Sequence, residues 1–485
     1  MAHKNSALFS TAAILSLTLA CLRGQGLLPP TNLAIHEEPL IPGSKNGATA
    51  AVPPMGWNSY DAFGDAVVES EVLSNALWMR DHLLRFGWNF VVVDFRWYDS
   101  KADGIRPQDP EGVTIDQFGR CVPATNRFPS ASGGNGFQPL ADRLHAMGLK
   151  LGIHIMRGIP RRAVEDNMPI ADSSFKAADA VLPTDDPNRA CAWNRDMFGV
   201  DGDSPAGMAW YASIARQYAS WGVDYIKCDD ICFLGRGRGY AAAEIEALSR
   251  ALANCGRPII LSLSPGPAPL NCSRHLKLFA NLWRISGDFW DNWPALNRNF
   301  DLFAAWAPDA GPGHWPDGDM IPFGHLCLRN CDVKPDRWTR FTHDEQQTLM
   351  SLWSLASSPL MLGMNLPDND PWTTDLLTNP EVLAIDQDSL GRCARRMYGP
   401  PVPAETWLKQ LDDGACAVGF FNRTNTSVRL DVPWRHLGFL QPPQVRDLWL
   451  HRDLGIQERF TAELPPHGCA LLRVKSSLGT AAPRP

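Results

Sequence analysis

Trp221-Gly222-Val223-Asp224-Tyr225-Ile226-Lys227-Cys228-Asp229-Asp230 is the stretch that decides the fold. An apolar, β-prone run (Val223, Tyr225, Ile226) ends abruptly in a lysine and two adjacent aspartates. A buried parallel strand of a (β/α) barrel has this pattern, because its middle meets only other side chains while its C-terminal end opens into a cavity. Carboxylates in such a place are costly to bury unless a cation or a reaction uses them. Lys227 supplies a cation, so the stretch alone supports two readings: a structural Lys–Asp pair closing the strand, or part of an active site.

Outward from there the pattern repeats. Asn89-Phe90-Val91-Val92-Val93-Asp94 is another apolar run capped by an acid, and Lys150-Leu151-Gly152-Ile153-His154-Ile155 is a further strand. Pro258 to Ser264 and Phe279 to Asp288 carry polar ends of their own. Between them, Val68 to Phe86, Phe137 to Met147, Met208 to Ser220 and Ala241 to Asn254 have helical spacing of apolar residues. Strands alternating with helices argue for a parallel sheet wrapped by helices. Polar residues at the ends of several strands favour a closed barrel, since an open sheet concentrates them at one switch point.

After Arg392 the character changes. Glu405 to Leu408, Ala415 to Phe421, Ser427 to Val432, Gln444 to Trp449 and Cys469 to Val474 are short alternating runs, punctuated by turn residues such as Asp412-Asp413-Gly414. They describe an antiparallel β-sandwich. The expected organisation is a signal peptide over 1–26, a leader over 27–51, a (β/α)8 TIM barrel over 52–392, a C-terminal antiparallel β-sandwich over 393–476 and a frayed tail over 477–485.

The length of 485 residues suits such a barrel plus a smaller partner. The net charge of −7 disfavours nucleic acid or an anionic membrane surface as partner. Eighteen Trp against seven Tyr supply flat apolar faces that suit sugar rings as well as core packing. His3 and Lys4 precede an apolar run, Ala7 to Ala20, too short to span a bilayer, so export is expected. Thr18-Leu19-Ala20-Cys21 faintly resembles a lipoprotein cleavage box, with poor residues at its first two positions. Export permits disulfides among the twelve cysteines, in a pairing that spacing does not reveal. Oligomeric state is not legible.

Asp229 and Asp288 end different barrel strands and so can face one cavity. Two carboxylates flanking a glycosidic bond suffice for hydrolysis: one attacks the anomeric carbon, and the other protonates the departing oxygen and then activates water. Lys227 favours charge on Asp229. Arg284 would favour charge on Asp288 unless it points at a sugar hydroxyl. Asp201-Gly202-Asp203 and Asp317-Gly318-Asp319 do not continue into calcium loops and read as turns. No Gly-rich phosphate loop stands out, and the chemistry calls for no cofactor and no metal.

Several motifs add a resemblance. Met55-Gly56-Trp57-Asn58-Ser59, Val223 to Asp229, Trp283-Arg284-Ile285-Ser286-Gly287-Asp288, Gly313 to Met320, Trp353 to Gly363 and Asn379 to Asp388 follow one another in the order of the melibiases, the α-galactosidases of glycoside hydrolase family 27, which the chain resembles from Pro53 to about Arg396. The resemblance implies the barrel-plus-sandwich fold and a retaining exo-glycosidase releasing terminal α-D-galactosyl residues from glycans. It makes Asp229 the nucleophile and Asp288 the acid/base, with carboxyls about 5–5.5 Å apart. It implies substrate contacts from Trp57, Asp94, Lys227, Arg284 and Asp319. Asp317 reads as structural, a turn residue. Trp57 also fits plain core, and Asp319 also fits a turn cap.

Three departures bear on the sugar. Asp94-Phe95-Arg96-Trp97 stands where many α-galactosidases read Asp-Asp-Cys-Trp, so Phe95 replaces the acid that grips the galactose 6-hydroxyl. β-L-Arabinopyranose has the galactose ring configuration without that arm, and a subset of the family with an apolar residue here prefers it. Phe95 can instead face away from the cavity, as the neighbour of an inward Asp94. Ser262-Leu263-Ser264-Pro265-Gly266 stands where Cys-Glu-Trp is frequent, which places Ser264 near the 2-position and keeps an N-acetylgalactosaminide open. His154 takes the place of a frequent tyrosine and reads more readily as hydrogen-bonded structure than as chemistry. The rival from another class is a non-catalytic carbohydrate-binding protein on a decayed barrel. It has no need of both reacting acids.

Overall fold

In the computed structural model the chain is described over residues 49–104, 110–234, 239–329, 331, 334–398 and 404–476. The signal segment, Cys21, most of the leader and the tail lie outside the described residues. An eight-stranded, wholly parallel sheet forms the barrel. Its strands are β1 (Met55–Asn58), β2 (Phe90–Val93), β3 (Lys150–Met156), β4 (Tyr225–Asp229), β5 (Ile260–Leu263), β6 (Leu282–Arg284), β7 (Trp315–Asp317) and β8 (Leu360–Leu362). They pair in sequence order, with β8 beside β1. The ring closes just past β7, where Ile321 bridges Leu362 in parallel. There the Ile321 N–H donates to Met361 O at 2.7 Å and the Gly363 N–H to Ile321 O at 3.1 Å. The expected TIM barrel is therefore present.

Helices follow the strands: α1 (Glu69–His82), α2 (Gln138–Ala146), α3 (Pro205–Ser220), α4 (Ala242–Ala253), α5 (Ser273–Phe279), α6 (Trp293–Trp306), α7 (His343–Ala356) and α8 (Pro380–Asp386). Their starts are set by local chemistry. Ser204 accepts from Gly207 N–H at 2.9 Å ahead of α3, and Thr342 and Glu345 cap α7 reciprocally. Gly56 is required by packing, since a Cβ there would overlap the Phe90 carbonyl of the neighbouring strand.

Eight strands build the C-terminal region: β9 (Arg395–Tyr398), β10 (Ala404–Gln410), β11 (Cys416–Asn422), β12 (Val428–Pro433), β13 (Gln444–Asp447), β14 (Arg452–Ile456), β15 (Arg459–Leu464) and β16 (Cys469–Lys475). One antiparallel sheet runs β9-β10-β11-β16-β13-β14 and a second pairs β12 with β15. Residues of the two sheets, among them Val418, Phe420, Phe460 and Leu472, form a separate core together with Trp434, which follows β12. Lys409 of β10 is fully buried, and its ammonium donates to Ser354 O at 3.0 Å and Ser357 Oγ at 2.6 Å at the end of α7. Among the described residues the cysteines are free thiols, and no helix is long and apolar enough to cross a membrane.

Candidate active site

The C-terminal ends of the barrel strands surround a cavity of about 440 Å³. Asp94 and Phe95 after β2, Lys227 and Asp229 of β4, Ser264 after β5, Arg284 of β6, Asp288 on the next loop and Asp319 after β7 all line it. Trp57 does not. It is 0% exposed, its indole N–H donates to Met364 O at 2.7 Å, and its ring meets Phe63 edge-on. β1 stops at Asn58 and the chain turns into a short helix, Tyr60–Phe63, so the aromatic that reaches the cavity from this motif is Tyr60.

Phe95 does not face away. β2 ends at Val93, so strand alternation no longer governs Asp94 and Phe95, and both side chains reach the cavity. The Phe95 ring stands edge-on to His154 with centroids 5.3 Å apart and tilts against Trp193 at 5.7 Å. An apolar wall thus occupies the place where the resemblance puts a second acid.

Asp94 is a buried anion with a full set of donors. Lys227 Nζ donates to its Oδ2 at 2.8 Å, Asn58 Nδ2 to the same oxygen at 2.6 Å, and the Phe95 N–H to Oδ1 at 2.7 Å. Burial pushes its carboxyl up, but the Lys227 charge and these hydrogen bonds outweigh burial and hold it well below the usual carboxylate range. Lys227 in turn is raised: burial lowers it, and the charges of Asp94, Asp229 and Asp319 more than compensate.

Asp229 owes its state to a residue the sequence reading assigned to structure. His154 Nε2 lies 3.2 Å from Asp229 Oδ2 and, facing a carboxylate, donates to it. The parallel register explains the meeting, since His154 pairs with Lys227 and Met156 with Asp229 across β3 and β4. The Asp230 N–H adds a contact to Oδ1 at 3.1 Å. Burial raises the Asp229 carboxyl, yet the His154 hydrogen bond and the charges of His154 and Lys227 bring it below its ordinary value. Lys227 acts on Asp229 through charge, having given its close hydrogen bond to Asp94.

Asp288 sits in a different environment. Its side chain is 74% exposed, against 16% for Asp229. Arg284 Nη2 reaches Asp288 Oδ1 at 3.3 Å and Asp319 Oδ2 at 2.6 Å, so its stronger contact goes to Asp319. Asp319 also accepts the Phe289 N–H at 2.7 Å, fixing the loop that carries Asp288. Burial pushes Asp319 up to about 7, against the pull of Arg284 and with the push of Asp288. Asp317 is structural, its Oδ1 accepting the Asp319 N–H at 2.8 Å.

Sequence reasoning missed Asp61, Trp193, Phe233, Phe289, Trp290 and Met320, which also line the cavity. Asp61 is buried, its Oδ2 has no hydrogen-bond partner, and burial together with Asp319 raises its carboxyl well above the usual range. The abundance of tryptophan was a signal for Trp193 and Trp290, and Met320 closes the motif that begins at Gly313; no periodicity marks the other three. Among the described residues no cluster of side chains is arranged to hold a metal ion.

Two carboxyl groups of unlike exposure in one cavity at the mouth of a barrel are the constellation that glycoside hydrolysis uses. Residues 198–388 match the family described as alpha galactosidase A, and residues 402–474 match the alpha galactosidase C-terminal beta sandwich domain. The fold resembles the solved structure of a family 27 β-L-arabinopyranosidase from Geobacillus stearothermophilus, with 44% identity, a TM-score of 0.85, and 90% of this chain and 99% of that one covered. The α-galactosidase of Cyamopsis tetragonoloba is 28% identical over 86% of this chain and 85% of its own length. An α-N-acetylgalactosaminidase of Mus musculus is 28% identical over 80% of each chain. The chain belongs to glycoside hydrolase family 27.

Proposed function

We propose that the protein is an exported, retaining exo-glycosidase that releases terminal β-L-arabinopyranosyl residues from glycans. Asp229, held ionised by His154 and Lys227, attacks the anomeric carbon while Asp288 gives its proton to the departing oxygen. The resulting glycosyl ester on Asp229 is then displaced by water, whose proton returns to Asp288. Asp94 and Lys227 grip ring hydroxyls from the floor, and Arg284 with Ser264 lies toward the 2-position.

The observation that carries the choice of sugar is the Phe95 ring in the cavity wall beside His154. A phenyl ring accepts no hydrogen bond from a 6-hydroxyl and fills the space a hydroxymethyl arm would take, whereas a pentopyranose lacks the arm. The 44% identity to an arabinopyranosidase supports the same reading. The second reading, α-D-galactosidase, draws on the α-galactosidases among the curated relatives.

The test compares nitrophenyl β-L-arabinopyranoside with nitrophenyl α-D-galactoside on the wild type and on Phe95→Asp. The wild type should favour the arabinoside, and the variant should move the ratio toward the galactoside by about tenfold or more, the worth of one hydrogen bond to a charged acceptor. An unchanged ratio removes Phe95 from the specificity argument. Binding without turnover, unaltered by Asp229→Asn, would favour the non-catalytic rival instead. Export, a lipid anchor at Cys21 and disulfide formation rest on the sequence, and mass spectrometry of the mature protein tests all three.

A further inference from the structure

We propose that Asp230 is a specificity-determining positioning residue: it holds the Trp193 indole against Phe95, and so keeps the wall that excludes a hydroxymethyl arm from yielding. The inference rests on the arabinopyranosidase reading above and deepens it, from the ring that fills the space to the carboxylate that keeps that ring in place.

Phe95 has two aromatic neighbours of unlike firmness. His154, edge-on at 5.3 Å, is 0% exposed and bonded to Asp229. Trp193, tilted at 5.7 Å, is 42% exposed and lies on the loop between α-helical residues 177–180 and the short strand Met197–Phe198. A side chain so exposed gains little fixation from packing. Trp193 is fixed by a polar bond instead, its indole N–H donating to Asp230 Oδ1 at 3.2 Å. The Cys191 thiol, two residues earlier, hydrogen-bonds to the same side chain. Two donors from one short segment on one buried acceptor set where that segment lies.

Asp230 is placed for this by the strand that carries Asp229. The chain leaves β4 and turns through Asp230 in the left-handed region (φ 53°), which aspartate tolerates better than most side chains. The carboxylate is 0% exposed and stands behind the cavity lining rather than in it. Arg157, 2% exposed, ties it down. Its Nε donates to Asp230 Oδ2 at 3.1 Å, Nη1 to Glu244 Oε1 at 2.6 Å and Nη2 to Asn188 O at 2.9 Å. Asn188 lies on the loop of Trp193, so one guanidinium anchors that loop directly at 188 and, through Asp230, at 193. The proposed hydrolysis uses neither Asp230 nor Arg157. Burying such a pair carries a desolvation cost, and the position of Trp193 is what it secures.

The experiment measures kcat/KM on nitrophenyl β-L-arabinopyranoside and nitrophenyl α-D-galactoside for wild type, Trp193→Phe and Asp230→Asn, each also in a Phe95→Ala background. Both substrates carry the same leaving group, so its contacts cancel in the ratio. Trp193→Phe keeps a ring beside Phe95 and removes the donor. The arabinoside-to-galactoside ratio should fall about three- to tenfold, chiefly through a rise on the galactoside, the worth of one partly exposed hydrogen bond. Asp230→Asn, left with one oxygen for donors on both sides, should shift the ratio the same way. In the Phe95→Ala background there is no wall to hold, and either change should move the ratio less than about twofold. General damage to the fold lowers both substrates together and leaves the ratio alone. Trp193→Phe, on an exposed side chain, decides the matter if Asp230→Asn does not fold. A wild type that prefers the arabinoside, with a ratio that Trp193→Phe or folded Asp230→Asn leaves or raises, overturns the positioning role alone. So does an equal fall without Phe95. A wild type that prefers the galactoside overturns the arabinopyranosidase reading as well.

Discussion

His154→Phe isolates the contact on which the state of Asp229 depends. The replacement keeps an aromatic ring against Phe95, where the native rings meet edge-on at 5.3 Å, and removes the imidazole whose Nε2 stands 3.2 Å from Asp229 Oδ2. A hydrogen bond to a charged group is worth about 1.5–3 kcal/mol, or roughly 10–150-fold in rate if lost wholly in the transition state. The Asp229 side chain is 16% exposed at the edge of an open cavity, so water can partly replace the donor and the lower end, about tenfold in kcat/KM, is expected. The pH dependence gives a second reading. Burial raises Asp229 and the His154 hydrogen bond is the largest influence lowering it, so its removal raises the carboxyl. On the proposed mechanism attack needs the ionised form of Asp229, so the acidic limb of the kcat/KM profile should move to higher pH. The assay is initial-rate hydrolysis of a nitrophenyl glycoside across the acid range. A variant with the wild-type acidic limb and less than about threefold loss would refute the claim that His154 tunes the nucleophile.

The remaining predictions concern the other charges of the site. Lys227→Met should lower the urea-unfolding free energy by about 3–5 kcal/mol, because it leaves Asp94 buried without its cation; a change below 1 kcal/mol would contradict the pairing. Asp319, raised to about 7 from 3.8, contributes stability that is fully present below its unfolded value and lost as pH climbs through about 7. Asp319→Asn should therefore gain on the wild type in thermal midpoint between about pH 4 and 7, and a constant offset across that range would argue against it. Azide should rescue Asp229→Ala to give a glycosyl azide of inverted configuration and Asp288→Ala to give one of retained configuration; the opposite pairing would exchange the two roles.

The barrel was legible where strands are long and end in charge. Val91 to Asp94 and Val223 to Asp229 announce themselves, because a buried strand is apolar until it meets the cavity. β7 and β8 carry no such pattern. Trp315-Pro316-Asp317 is three residues with a proline, and Leu360 to Leu362 resumes the apolar run of α7 after only Ser357 (left-handed, φ 52°), Ser358 and Pro359. Among cavity residues, those at strand ends could be placed because strand ends face the cavity. Trp57 was misplaced because the chain turns at Ser59, and motif order does not say which of two nearby aromatics, Trp57 or Tyr60, clears the turn. Trp193 and Trp290 lie on loops, whose positions are set by distant anchors such as Asp230 and Lys334.

The single bridge between Ile321 and Leu362 is the weak stitch of the ring. Elsewhere neighbouring strands share a ladder; here two hydrogen bonds hold the join. Asp319 and Met320, both in the cavity lining, come immediately before Ile321. A sugar clasped by Asp319 would act as a latch on that join, so occupancy should quiet amide exchange at Ile321 and Gly363 far more than in the middle of β3. The barrel would then be most nearly shut when it is at work, and freest to breathe when empty.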